Sequence, residues 1–176
     1  AISDDGLKHL ANMSSLEKLS LEQTSIGDRG IAHVAKLKLR ELCVSDTRVK
    51  SEGLATIGKF SKLKHLELGA YFPKGDKNLI ALASAKELEW LDLKDGEIAV
   101  EDLDEVAQIT SLRKLVPANC KIEDGAITAL ETLPNLKTLD LSSTNFSLAK
   151  LEEVVKLQAL ETLVLADSDI DDAMTN

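Results

Sequence analysis

One motif recurs along this chain at nearly constant spacing and limits its possible folds more than any other feature. L-x-x-L-x-L, or a close variant such as "LRELCV" or "LRKLVP", begins at Leu16, Leu39, Leu63, Leu88, Leu112, Leu136 and Leu160, so successive copies lie 23, 24, 25, 24, 24 and 24 residues apart. A fixed period in this range is the signature of a repeat array, in which one supersecondary unit stacks on copies of itself.

With each unit numbered from its first leucine, positions 1, 4, 6 and 11 are apolar. That spacing is too short for a helix and suits a short strand running into a buried turn. A tail follows each strand: "QTSIGDRGI" (23–31), "DTRVKSEGL" (46–54) and "NCKIEDGAI" (119–127) share one plan, and "AISDDGL" opens the chain with the same tail. Asp4, Asp28, Ser51, Asp124 and Asp172 fall at position 13, where a side-chain oxygen is expected to cap a helix. Apolar residues then follow at positions 16, 19 and 22, as in Leu54, Ile57 and Phe60 or Leu151, Val154 and Leu157. This places one face of a short helix on the core. Each unit is therefore strand, turn and helix, and it buries its apolar face only against neighbours.

On these motifs the chain resembles leucine-rich-repeat proteins over essentially its whole length. Thr24, Thr47, Cys120 and Thr144 stand where many such repeats carry Asn, followed by a D-x-G-like helix entry. In this it is similar to the bacterial and F-box-associated repeats. The resemblance implies an α/β solenoid, or horseshoe, with a concave parallel sheet, short convex helices and recognition of other macromolecules. It predicts one domain over 1–176: a partial repeat over 1–15, then repeats beginning at 16, 39, 63, 88, 112, 136 and 160.

Stacking sorts the variable residues into columns about 4.8 Å apart. Positions 3 and 5 point to the open face of the sheet. Position 3 reads Lys18, Glu41, His65, Trp90, Lys114, Thr138, Thr162; position 5 reads Ser20, Cys43, Glu67, Asp92, Val116, Asp140, Val164. Trp90, the single tryptophan, is thus expected outward and water-exposed in the fourth of seven repeats. It either anchors a partner, as tryptophan does at binding hot spots, or simply lies across His65 and Lys114 and covers the sheet. Glu67 and Asp92, adjacent like charges, disfavour the free state unless a partner's cation, His65 or Lys94 offsets them. The expected partner-binding set is His65, Glu67, Trp90, Asp92, Lys94, Lys114, Glu41 and Asp140, joined by Tyr71 and Phe72 from the irregular tail "GAYFPKGDKN" (69–78). Tyr71 and Phe72 form a protruding loop or turn inward to replace a missing aliphatic.

Cys43, His65, Glu67 and Asp92 carry metal-ligand chemistry, but an open surface with no second layer of supporting groups favours a polar recognition surface. Position 2 reads Glu17, Arg40, Lys64, Glu89, Arg113, Lys137 and Glu161, two positives after each negative, a ladder expected to give modest surface stabilisation. Pro117 removes a donor from a central strand and predicts a local bend.

Composition narrows the partner. A formal charge of -9 repels phosphate backbones and anionic membranes, so a protein partner, and a basic one, fits better than nucleic acid or lipid. His9, His33 and His65 lie in different repeats, and no motif points to an enzyme or a cofactor. Cys43 and Cys120 are three strand spacings apart, on the order of 14 Å, too far for a disulfide. Free thiols lean towards the cytoplasm rather than secretion, and two N-x-S sequons, at Asn12 and Asn145, are too common by chance to reverse that. Ile2 and Ile170 share one repeat phase, and neither end carries a recognisable polar cap. The expectation is a segment of a longer repeat protein, or self-association that covers Leu160, Leu163, Leu165 and Ile170.

Overall fold

Every copy of the leucine motif becomes a three-residue strand in the computed structural model, which describes residues 2–69 and 78–168. Strands β1 (Lys18–Ser20), β2 (Glu41–Cys43), β3 (His65–Glu67), β4 (Trp90–Asp92), β6 (Lys114–Val116), β8 (Thr138–Asp140) and β9 (Thr162–Val164) pair in chain order into one sheet. All neighbours are parallel, and the register matches the sequence columns: Lys18, Glu41, His65, Trp90, Lys114, Thr138 and Thr162 stand side by side. A second pair of short strands, β5 (Glu97–Ile98) and β7 (Lys121–Ile122), lies in the tails, where the leucine pattern gave no hint of a strand.

The motif leucines carry the core. Leu39, Leu63, Leu88, Leu112 and Leu136, all at position 1, are at most 1% exposed, and Leu42, Leu66, Leu91, Leu115 and Leu139 at position 4 at most 2%. Each such side chain contributes roughly 1.5–3 kcal/mol by leaving water. With one tryptophan, one tyrosine and three phenylalanines in the chain, aliphatic stacking does most of this work.

Between strand and helix the chain turns through the left-handed region at position 8, with positive φ at Gln23, Asp46, Asp95, Asn119, Ser143 and Asp167. Asn and Asp tolerate this conformation best after glycine. The following residue locks the turn: Thr24, Thr47 and Thr144 each donate a hydroxyl hydrogen bond, at 2.6 Å, to the carbonyls of Leu21, Val44 and Leu141. Cys120 takes the same place, its buried thiol 3.2 Å from the Leu93 carbonyl of the preceding unit.

Helical segments close the other face. They are α-helical at α1 (Asp4–Leu7), α2 (Asp28–Val34), α3 (Ser51–Ile57), α4 (Val100–Val106) and α5 (Leu151–Val154), but 3-10 turns at Leu79–Ser84 and Ala126–Thr132. The capping expectation needs correction. Asp4, Asp28 and Ser51 are first residues of their helices, and the cap positions Ser3, Gly27 and Lys50 make no side-chain cap bond. Asp4 Oδ1 instead accepts the Gly27 N–H of the next unit at 2.8 Å, and Asp28 Oδ1 accepts the Lys50 N–H at 2.6 Å. The carboxylate at position 13 thus stitches one unit to the next. Glycine at position 15 makes room for it, since a Cβ on Gly30 or Gly53 would lie 2.5 Å from that oxygen. Asp124 ion-pairs with Lys150 at 2.5 Å. Asp172 lies outside the described residues.

Pro117 acts through what it lacks. In other units the position-6 N–H donates to the position-5 carbonyl of the next strand, as Leu93 does to Val116 at 2.9 Å. Proline has no such donor, and the β6–β8 register accordingly runs over two residue pairs rather than three. The position-2 ladder forms at Arg40–Glu17 (3.3 Å), Lys64–Glu89 (3.4 Å) and Lys137–Glu161. Cys43 and Cys120 are not joined in a disulfide, and no helix among the described residues is long and apolar enough to cross a membrane.

Candidate functional site

The open face of the sheet is organised around Trp90. His65 on β3 stacks on the indole with ring centroids 3.9 Å apart and planes 10° from parallel. Lys114 on β6 places its ammonium 3.9 Å from the indole ring centre. Because β3 and β6 flank β4 on opposite sides, one indole face meets imidazole and the other a cation. Such contacts contribute about 0.5–1 kcal/mol each at partly exposed sites, enough to hold the three side chains in a single arrangement. Trp90 is therefore half-buried with both ring faces covered, not freely exposed as its outward register suggested. Its Nε1 is buried without a hydrogen-bond partner among the described residues.

At β4 and β6 the position-5 residues lie deeper than expected. Asp92 and Val116 are only 3% and 4% exposed. Asp92 faces Glu67 across the β3–β4 register, and Lys94 offsets that repulsion: its ammonium lies 2.8 Å from Asp92 Oδ2, and its backbone N–H donates to Oδ1 at 3.1 Å. The carboxylate in turn raises the Lys94 pKa, chiefly through its hydrogen bond with the ammonium. Asp92 is thus a buried anchor for Lys94 and not a group a partner can touch.

Glu67 is answered differently. Its Oε1 lies 3.2 Å from His65 Nε2, yet that nitrogen is buried and off the geometry of a hydrogen bond. Burial depresses the His65 pKa, outweighing the upward pull of Glu67, Glu41 and Asp92. The imidazole is therefore neutral at pH 7 and leaves the Glu67 charge in place.

His65, Glu67, Trp90, Asp92, Lys94 and Lys114 converge on β3, β4 and β6. Glu41 borders them and is salt-bridged to Lys18 at 2.7 Å. Asp140 lies apart on β8, accepting the Ser142 N–H at 3.0 Å and its hydroxyl at 2.5 Å. Tyr71 and Phe72 lie outside the described residues. Sequence columns missed Glu22, which follows β1 and lines a depression of about 400 Å³ with Lys18, Glu41, Cys43, His65 and Glu67. Position 7 belongs to neither outward column, so only the turn geometry reveals it. Among the described residues no three His, Cys, Asp or Glu side chains converge to hold a metal ion.

A stack of strand, turn and short helix, with one sheet face left uncovered by the described residues, defines the class: a parallel repeat solenoid. More specifically, this is the leucine-rich-repeat fold. No protein-family model and no curated protein matches the sequence, whereas many solved structures match in fold. An internalin (inlF) from Listeria monocytogenes is 24% identical with TM-score 0.66, over 94% of this chain and 46% of that one. TLR13, solved in a complex with ssRNA13, is 23% identical with TM-score 0.68, over 96% of this chain and 24% of that one. The plant peptide hormone receptor RGFR1, solved in complex with RGF2, is 17% identical with TM-score 0.55, over 93% and 30%. This chain therefore spans less than half the length of each of these three, and at such identities the likeness is one of fold alone.

Proposed function

We propose that the chain is a protein-interaction module that docks a segment of a partner protein on its open sheet face, over His65, Glu67, Trp90 and Lys114, with Lys94, Glu41 and Asp140 at the margins. The observation that carries this reading is the His65–Trp90–Lys114 stack. An aromatic already fixed by two neighbours loses little side-chain entropy on binding, and tryptophans so held at the centre of an uncovered face are typical hot spots. The plant receptor in complex with RGF2 is one instance of a partner held by this fold.

TLR13, in its complex with ssRNA13, is an instance with RNA. Charge argues against RNA here: the chain carries -9 overall, and Glu41, Glu67 and Asp140 stand in the very columns a phosphate backbone would approach. The same charges favour a basic protein segment.

Affinity capture from a native extract tests the reading. Trp90→Ala is expected to weaken retention of the specific partner by about 2 kcal/mol, some 30-fold in Kd, while Val155→Ala, 73% exposed on the helical side, leaves it unchanged. Equal retention by wild type and Trp90→Ala would instead support a spacer segment of a larger effector or adaptor.

A further inference from the structure

The depression beside the stack, on the β1–β2 side of His65, has a chemistry of its own. Among the described residues its acidic groups are Glu22, Glu41 and Glu67, against the single ammonium of Lys18, which is already paired with Glu41 at 2.7 Å. Neutral His65 adds no positive charge. Negative charge is therefore in excess at a site of about 400 Å³.

Its wall is flat. One face of the His65 ring lies on Trp90 of β4, while the depression lies towards β1 and β2. The other ring face therefore borders the depression. Short side chains in the position-5 column, Ser20 and Cys43, leave the floor low between longer neighbours.

A planar π wall flanked by carboxylates suits a guanidinium better than an ammonium. Arginine stacks its plane on a ring and presents a fork of N–H donors to carboxylates, whereas lysine offers a compact, strongly hydrated point charge. We propose that this depression is a subsite for an arginine side chain of the docked segment, its guanidinium lying on the free face of the His65 ring and donating to Glu41 and Glu67. The proposal rests on the docking reading above and specifies its chemistry. Lys18 shares Glu41 or is displaced from it when the subsite fills.

Cys43 provides the readout, because its half-exposed thiol lines the depression whereas Cys120 is buried. The rate of Cys43 alkylation by N-ethylmaleimide, followed by mass spectrometry at low salt, reports occupancy by a blocked tetra-arginine peptide. Millimolar tetra-arginine is expected to slow alkylation by about fivefold or more, tetra-lysine by clearly less, and tetra-glutamate not at all. Glu67→Gln and Glu41→Gln should each remove most of the protection. Unchanged alkylation with tetra-arginine, equal protection by tetra-lysine, or full protection in both variants would each overturn the proposal. A partner whose capture depends on Trp90 but not on Glu67, with Cys43 unprotected by tetra-arginine, would retain the docking reading and discard the arginine subsite. Arginine-specific protection without any Trp90-dependent partner would do the reverse.

Discussion

Gly53→Ala tests how neighbouring units are joined. A Cβ at this position would sit 2.5 Å from Asp28 Oδ1 and 2.6 Å from Val49 Cγ1. Val49 is 3% exposed and has little room to move. Asp28 can swing away, but only by giving up the Lys50 N–H that it accepts at 2.6 Å. Overpacking of this kind costs about 1–3 kcal/mol, and the lost carboxylate bond, partly replaced by water at this exposed site, about 1 kcal/mol. Alanine's better helix propensity returns up to about 1 kcal/mol, for a net destabilisation near 2 kcal/mol. Asp28→Ala alone should cost about 1 kcal/mol. In that background the new methyl meets only Val49, so Gly53→Ala should cost about 1 kcal/mol less than in the wild type. Urea unfolding of the four proteins, followed by circular dichroism, measures this as a double-mutant cycle. Additive effects within about 0.3 kcal/mol, or a stabilising Gly53→Ala, would refute the Asp-to-next-unit latch.

Two further outcomes bear on the open face. The His65 pKa lies below the ordinary 6.5 because burial disfavours its charged form. Its contribution to stability is therefore complete above pH 6.5 and is lost as pH falls through the folded value; NMR titration should show this, and in Trp90→Ala the value should move back towards 6.5. Trp90 fluorescence should be blue of free indole and quenched only weakly by iodide; a red, fully quenched spectrum would contradict the stack.

The strand register was legible because it depends on one dimension only. Once Leu63 and Leu88 are aligned, His65 must neighbour Trp90 and Glu67 must neighbour Asp92, whatever the turns do. Side chains that act between units were not legible in the same way. Asp28 sits three residues before Ile31, the first apolar position of the helical pattern, and reads as that helix's own cap, yet the N–H it meets belongs to the following unit, 22 residues on. Burial on the open face was equally hidden. Pattern alone marks Asp92 and Val116 as outward, and only the Lys94 side chain folding back to Asp92 shows that an outward register and an accessible carboxylate differ. The small β5–β7 pair escaped notice because two-residue strands leave no period to count. Asn145, half of an N-x-S sequon, spends its amide on the Ile122 backbone, at 2.8 and 3.0 Å, which no sequon pattern discloses.

Site-specific photo-crosslinking measures most directly whether the open sheet face docks a protein. A benzophenone side chain at Thr138, beside Lys114 in the position-3 column, and the same group at Val155 on the helical side would be irradiated in complex with the partner captured by the wild type. The docking account predicts a crosslinked product from position 138, suppressed by Trp90→Ala, and none from position 155. Crosslinking from position 155 with none from position 138 would place the partner on the helices and contradict it.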